Sequence, residues 1–523
     1  MDQRCVRSLL QPSAYPEATG SVELIQTHVS YLFLTDSHVY KIKKPVDFGF
    51  LNFSTLDRRR FYCEEEVRLN RRLCPDLYLA VVGVHATQDG ASFTGSGPTI
   101  DYAVIMRRLP AHRMLDRLLR EQCVSADDIR AIARTIGAFH LRAERNAMID
   151  EAGSLDAIRT NCDENFLQTR SFCGVTLDSR DWELIGHWTN RFLEQHADAF
   201  AARVAGGFIR DCDGDIHTEN INLDEDGTIY IFDCIEFNSR YRYSDTAADI
   251  AFLLMDFDYA CRPEFGATFL EEYVRVTGDT SVADVLDFYK IYRAYVRGKV
   301  ESLRLSDTQI DANDQAAAAE RARRFFRLCR GYIARLRLRP TLFLTCGLTG
   351  TGKSVTAREL SFELGVAVVS SDVVRKELAG LSPDERRREA YESGIYDRSF
   401  TERTYRTLLQ RADEALSAER SIIIDATLRR SADRKPFREL ASRCGAALTI
   451  IETYCPDAIA RQRLANREVS PDGPSDGRWD VYLRQKDEFE PPEASEGTVL
   501  TIDTTRSTGD MVGDILEGMG MLS

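Results

Sequence analysis

The chain has 523 residues, 43% hydrophobic and 29% charged, with no internal repeat and no long low-complexity tract, a balance that suits two to four soluble globular domains and excludes fibrous and disordered classes. Its net charge of −14 argues against a broad electrostatic surface for nucleic acid, though a local basic groove would still be compatible with it. No apolar run approaches the ~18 residues of a membrane span, the N-terminus lacks a signal-peptide core, and the 13 cysteines are scattered without a C-x-x-C pair, so the expectation is a cytoplasmic protein with neither membrane segment, disulfide framework nor cysteine metal site.

Residues 20–110 alternate strand-like segments with one strong helix. Tyr31-Leu-Phe-Leu-Thr35 and His38-Val-Tyr-Lys-Ile-Lys43 read as paired strands around a turn at Asp36-Ser37. Leu56 to Leu73 is rich in Arg and Glu, with Leu and Val at helical spacing, and Tyr102-Ala-Val-Ile-Met106 reads as a buried strand. From about 113 to 200 the pattern is mostly helical. A polar loop and two short strands fill 208–233, and helices return from about 245 to 336. His140 is expected to pack on its own helix, and His217 to orient the loop that contains it.

That loop, Asp211-Cys-Asp-Gly-Asp215-Ile-His-Thr-Glu-Asn220, places an acid and an amide five residues apart. Phosphoryl transfer needs a carboxylate to accept the proton of the attacking hydroxyl and an amide oxygen nearby to hold Mg²⁺. Thirteen residues after Asn220, Ile229-Tyr-Ile-Phe-Asp233-Cys-Ile-Glu236 delivers a second carboxylate from a strand. Any one of Asp213, Asp215 and Asp233 could be a turn acid, because Asp-Gly is a strong turn signal. Several matching elements in one order favour a site.

These segments resemble the aminoglycoside phosphotransferase family, whose fold is that of protein kinases and choline kinases and whose loop reads H-G-D-x-x-x-x-N. The resemblance implies Asp215 as base and Asn220 and Asp233 as Mg²⁺ ligands. Val39-Tyr-Lys41-Ile-Lys43-Lys44 is similar to the strand with the phosphate-binding lysine, and Cys63-Glu-Glu-Glu66 to the helix whose glutamate pairs with it. Lys41 with Glu66 is the preferred pair, with Lys43 and Glu65 as alternatives, and Tyr102 to Arg107 would be the hinge beside adenine. Asp213 stands where the family has its histidine, and no glycine-rich loop lies between residues 29 and 39.

Arg321 to Arg339 is a basic amphipathic stretch ending at Pro340, read as a solvated linker helix. Beyond it strands and helices alternate, as in a parallel α/β domain. Gly347-Leu-Thr349-Gly350-Thr351-Gly352-Lys353-Ser354 fits G-x-x-x-x-G-K-[ST] and lies between the strand-like Thr341–Cys346 and a helix. Glycines let backbone N–H groups wrap phosphates at a helix N-terminus. Lys353 would reach the β- and γ-phosphates and the Ser354 hydroxyl would bind Mg²⁺.

After a strand at 366–370, Asp372 and Arg375 lie three apart at a helix start. Asp372 could accept an alcohol proton or simply cap the helix, and Arg375 could hold substrate or phosphate. Ser421-Ile-Ile-Ile-Asp425 ends a buried strand in an acid suited to support Mg²⁺ through water. Arg463 and Arg467 precede the polar stretch 470–477, read as a lid with arginines aimed at phosphates. These segments resemble the small P-loop kinases, among them gluconate kinase, chloramphenicol phosphotransferase, polynucleotide 5′-kinase and the zeta-toxin type.

The expected architecture is therefore a protein-kinase-like two-lobed domain at 1–335, with a small lobe at about 20–107 and a helical lobe at about 108–335. An α/β P-loop kinase domain follows at 336–523. The order of the two resembles a bacterial fusion of an aminoglycoside-phosphotransferase-like domain with a P-loop kinase or AAA-family ATP-binding domain. It implies a bifunctional ATP- and Mg²⁺-dependent phosphotransferase acting on hydroxyls of small molecules. The alternatives are a nucleic-acid 5′-hydroxyl kinase, motivated by the basic 321–339 stretch and the Asp372/Arg375 pair, and a regulatory nucleotide-binding role for the first domain, motivated by Asp213.

Overall fold

The computed structural model describes residues 1–306, 311–382, 394–469 and 478–522. It forms two compact units: Met1–Gln168 with Thr189–Val296, and Thr169–Trp188 with Arg297–Ser523. The division therefore falls at 296/297 and not at the expected 335, and the second unit also takes residues 169–188.

The first unit begins with a six-stranded antiparallel sheet, β1 (Glu23–Gln26), β2 (Ser30–Leu34), β3 (His38–Lys43), β4 (Tyr78–Thr87), β5 (Gly90–Ser92) and β6 (Thr99–Arg107), in the order β1-β2-β3-β6-β4-β5. The predicted β2–β3 hairpin is present, with Phe33 opposite Tyr40. Side chains alternate across a strand. In β3, Tyr40 and Ile42 join Phe33, Val84 and Ala103 on one face, while Val39 packs on the other with Cys63 and Val67 of helix Leu56–Asn70. That periodicity puts Lys41 and Lys43 together on the helix-facing side.

The remainder of this unit is mainly helical. Three short strands, β7 (Ile209–Asp211), β8 (Ile221–Leu223) and β9 (Ile229–Ile231), frame the polar loop, where two were expected, and β10 (Tyr243–Asp245) pairs with β7. Helix Thr246–Tyr259 is buried on every side up to Asp258, three aspartates included. A helix apolar all round with embedded acids must pair those acids, because an unpaired buried charge is costly.

The second unit is built on five parallel strands, β11 (Thr341–Cys346), β12 (Ala367–Ser370), β13 (Ile422–Asp425), β14 (Ala447–Tyr454) and β15 (Thr498–Asp503), in the order β12-β13-β11-β14-β15. All six residues of β11 are buried, as a central parallel strand covered on both faces requires. One face packs Leu342, Leu344 and Ile424 against Leu408 and Phe437; the other packs Phe343 and Ile423 against Leu360 and Ile515.

Helix Ala312–Arg335 corrects the reading of a solvated linker. Residues Phe325 to Ala334 are buried, and Arg327 and Arg330 among them lie inside with their partners. Arg327 binds Glu359 and Glu363 at 2.7 and 2.8 Å, and Arg330 binds Glu363 at 2.7 Å and Asp181 at 3.3 Å. The charges that looked like a solvated face are neutralised by acids from the 353–364 helix and from residues 169–188, a partnership that local periodicity cannot reveal.

Candidate functional sites

In the first unit the polar loop is held by the buried helix beneath it. Asp249 and Asp256 are seven residues apart and so share a helix face. Asp249 accepts the backbone N–H groups of Asp213 (3.1 Å) and Gly214 (2.8 Å), and Asp256 accepts that of Thr218 (3.0 Å). Arg293 donates to the carbonyl of Gly214 at 3.1 Å. Gly214 has φ +90°, and a Cβ there would lie 2.9 Å from the Tyr241 carbonyl oxygen, so the turn has no room for a side chain. His140 is buried and lies 2.8 Å from the Tyr273 hydroxyl and 3.1 Å from Asp249. Where it was expected to pack on its own helix, it reaches instead to helices Thr246–Tyr259 and Pro263–Thr277 and completes the Asp249 network.

Within the loop, the Asn220 amide nitrogen donates to Asp215 Oδ2 at 3.2 Å, and His217 Nε2 lies 3.5 Å from the same oxygen. Asp215 is one-third exposed, while its neighbours Asp213 and Asn220 are buried. Burial and the nearby Asp249 push the Asp213 carboxyl well above the ordinary carboxylate range. Its Oδ1 accepts the Asp215 N–H at 3.2 Å. In the place of the family histidine, then, stands an acid that burial favours in its neutral form and that still braces Asp215.

Asp233 follows β9 at φ +66°, in the left-handed region that non-glycine residues seldom occupy. Its N–H is caught by the Tyr78 hydroxyl at 3.2 Å, and that of Cys234 by Asn70 at 2.9 Å. Its carboxylate accepts from Lys41 at 2.6 Å. Lys41 also meets Glu66 Oε1 at 2.8 Å, while Lys43 meets Glu66 Oε2 at 2.5 Å and pairs with Glu236. Both lysine alternatives thus converge on Glu66. Glu65 does not; it pairs with Arg68 on the outer side of the helix.

Burial works against a charged Lys41, but Asp233 and Glu66 outweigh it and hold its pKa well above the ordinary lysine value. Glu66 is likewise opposed by burial, yet the two lysines hold its pKa below the usual carboxylate range. For Glu236 burial wins over Lys43, and its pKa is raised. Glu236, Asp249, Tyr78 and Asn70 were not singled out from sequence. Glu236, three residues beyond Asp233, could have been found from its spacing; the others are set by packing alone.

Asp233 and Asn220 offer hard oxygen donors of the kind Mg²⁺ takes. The Asn220 nitrogen is committed to Asp215, so the atom it offers a cation is its carbonyl oxygen. The donor set fits the ion.

In the second unit the P-loop joins β11 to helix Lys353–Leu364, as predicted. Gly347, Gly350 and Gly352 have φ of +136°, +81° and +99°. Lys353 donates to the Leu348 carbonyl at 2.8 Å, and Ser354 is exposed. Thr351 bonds Thr453 at 2.9 Å, and the Thr349 N–H donates to Gln485 at 2.9 Å. Asp425, buried at the end of β13, accepts from Thr345 on the neighbouring β11 at 3.1 Å. Asp372 is half-buried in the first turn of helix Ser371–Leu378, whose N-cap position belongs to Ser370, so Asp372 is not the cap. Arg375, on the same helix, is buried. P-loop, Asp372 and Asp425 all lie at the carboxyl ends of parallel strands, where open α/β sheets bind ligands.

Arg463 departs from expectation. Its guanidinium binds the Thr504 hydroxyl (2.8 Å) and carbonyl (2.5 Å), and Thr504 in turn donates to the Thr351 carbonyl at 2.7 Å. Arg463 braces the P-loop through Thr504, which follows the unforeseen strand β15. The Arg467 side chain and the expected lid at 470–477 lie outside the described residues.

The sequence matches the phosphotransferase enzyme family over residues 53–288 and an AAA domain over residues 342–492. It is 30% identical over 469 residues to uncharacterized protein Rv2004c of Mycobacterium tuberculosis (strain H37Rv) and to uncharacterized protein Mb2027c of Mycobacterium bovis, covering 89% of this chain and 90% of each relative. Among solved structures, a choline/ethanolamine kinase family protein from Mesorhizobium loti aligns with 61% of this chain and 94% of its own (14% identity, TM-score 0.35). A putative kinase from Chloroflexus aurantiacus aligns with 34% of this chain and 98% of its own (20% identity, TM-score 0.29).

Proposed function

This chain belongs to the family, shared with those mycobacterial proteins, that joins a phosphotransferase-enzyme domain to a P-loop AAA domain; it is an ATP-dependent kinase, and we propose that each of its two sites transfers the γ-phosphoryl group to a hydroxyl of a small sugar, polyol or related metabolite. The observation that carries this is the convergence of Lys41, Glu66 and Asp233 in one ion-pair cluster, together with the braced Asp215–Asn220 loop.

At the first site Asp215 accepts the proton of the acceptor hydroxyl as its oxygen bonds to the γ-phosphorus and the bridging β–γ oxygen leaves with ADP. Lys41 neutralises phosphate oxygens, and Glu66 orients Lys41. Asn220 and Asp233 would hold Mg²⁺, which would offset the charge of the phosphates. At the second site the P-loop amides and Lys353 cradle the phosphates, Asp372 takes the acceptor's proton, and Arg375 orients the acceptor or a phosphate; Ser354 and Asp425 would hold a Mg²⁺ that neutralises phosphate charge. Positioning and charge neutralisation supply most of the rate in such reactions.

Two observations weigh on the alternatives. The arginines that motivated a nucleic-acid kinase are partly consumed internally: Arg327 and Arg330 are buried in ion pairs, and Arg321 pairs with Glu301. Asp213, which motivated a regulatory role, leaves the Asp215 loop braced. The test is a screen of hydroxyl metabolites for acceptor-dependent ADP release by wild type, Asp215→Asn and Lys353→Ala. One activity should fall about 10²–10⁴-fold with Asp215→Asn and another with Lys353→Ala. An activity indifferent to both substitutions would sink the assignment.

A further inference from the structure

We propose that Arg72 is a positioning residue for the first site: its guanidinium clamps the Asp215 loop and the Asp233 segment to the end of the helix that carries Glu66, so that base, metal ligand and the partner of Lys41 hold one geometry. The inference rests on the reading of these residues as a phosphoryl-transfer site. Arg72 lies two residues beyond helix Leu56–Asn70, and its Nε donates to the Leu69 carbonyl of the last helical turn at 3.0 Å. The rest of the fork serves segments far away in sequence. Nη1 donates to the Asp211 carbonyl and Nη2 to the Cys212 carbonyl, both at 2.8 Å, and Nη2 also reaches the Cys234 sulfur at 3.3 Å. The Asp211 carboxylate at 3.4 Å and the Phe139 ring, 5.0 Å from the guanidinium, complete its surroundings.

Asp211 and Cys212 open the loop that delivers Asp215, and Cys234 directly follows Asp233. The two segments also touch each other: the Cys234 thiol donates to the Asp213 carbonyl at 3.3 Å, and the Ile235 N–H donates to the same oxygen at 3.2 Å. Asn70, in the last helical turn, accepts the Cys234 N–H at 2.9 Å and donates to the Glu66 carbonyl at 2.8 Å. The stretch from Glu66 to Arg72 therefore grips the lysine, the loop and the metal segment together. Asp233 needs such support: its carboxylate is 46% exposed, and its φ of +66° is imposed by its surroundings and not by its own preference. A lysine at residue 72 could carry the same charge but not the same geometry, because one ammonium cannot span two carbonyls, a sulfur and the helix end. Arg72 acts through the backbone of residues 211–212 and through Cys234, not on the substrate.

The experiment uses the full chain carrying Lys353→Ala, so that the P-loop does not contribute. It measures binding of a non-hydrolysable ATP analogue by calorimetry over a range of Mg²⁺ concentrations, with thermal melting of each variant without nucleotide. Residues that orient metal ligands set metal affinity by roughly 10–100-fold, so Arg72→Met should raise the Mg²⁺ concentration needed for half-maximal analogue binding about tenfold. At saturating Mg²⁺ its analogue affinity should return to the parent's, because Lys41 and Glu66 are untouched. Arg72→Met should also lower the melting temperature, so Arg72→Lys is the deciding variant: it keeps the charge beside Asp211 and should melt near the parent, yet show the same raised Mg²⁺ requirement. If Arg72→Lys keeps the parent's Mg²⁺ requirement, or weakens analogue binding equally at every Mg²⁺ concentration, Arg72 contributes charge or stability alone and the inference is overturned. A parent chain that binds no analogue would overturn the nucleotide reading of the site, and the inference with it.

Discussion

The two candidate sites are built by opposite constructions. The P-loop is eight consecutive residues, Gly347 to Ser354, whose backbone is bent by glycine and braced by Thr453, Thr504 and Gln485. The first site is gathered from distant segments: Lys41 and Asp233 are 192 residues apart, and their cluster with Glu66, Lys43 and Glu236 is largely enclosed. A local backbone cradle tolerates changes in the surrounding fold but not in its glycines. A dispersed ionic site depends on every element that brings its charges together.

That contrast can be broken first at Asp249. Asp249→Ala removes the acceptor for two loop N–H groups and the partner of His140 in a buried setting, so it should cost about 3–5 kcal/mol and abolish transfer at the first site. Chemical denaturation and the acceptor assay read the two effects; wild-type stability would show that the loop does not depend on its supporting helix. At the P-loop, Gly347→Ala places a Cβ 2.6 Å from the Thr453 carbonyl oxygen at φ +136°. It should cost about 1–3 kcal/mol and eliminate analogue binding at the second site only. Loss of binding at both sites in calorimetry would erase the distinction.

A third probe concerns charge buried in the second unit. Burial, opposed by Arg330, pushes the Asp181 carboxyl from an ordinary 3.8 up to about 6. The folded state therefore binds that proton more tightly than the unfolded chain. This contribution to stability is lost as pH rises from about 4 to about 6 and stays lost above. Asp181→Asn should remove a pH-dependent difference of about 2–3 kcal/mol across that window. Denaturation midpoints of both proteins below about pH 4 and above about pH 6 measure it, and parallel profiles would refute it. The smallest effect is expected at Glu65, paired with Arg68 on the helix surface. Glu65→Gln should change stability by less than about 0.5 kcal/mol and leave nucleotide binding intact, whereas Glu66→Gln should impair it.

Much of this was legible beforehand, for specific reasons. β3 and β11 lie where their patterns placed them, because alternation and continuous apolar runs are local signals. β15, five residues of Thr-Val-Leu-Thr-Ile and an Asp, is only half-buried and gave no such signal; it becomes a strand by pairing along β14. The 312–335 helix was recognisable as a helix but not as a buried one, since arginine at helical spacing reads alike whether its partner is water or Glu363. Arg463 was misdirected for a similar reason: an arginine before a polar stretch says nothing of the threonine it will meet.

By itself, then, the sequence determined the phosphate cradle, the Asp215–Asn220 spacing and the order of two kinase-like halves, because these depend on residue types at short fixed separations. Only the tertiary structure decided between Glu65 and Glu66, joined both lysines to one carboxylate, seated Asp249 beneath the loop and buried Asp213 within it, and drew residues 169–188 and 297–335 into the second unit. Those outcomes turn on which charges are buried together, and burial is a property of the packed chain that no local spacing encodes.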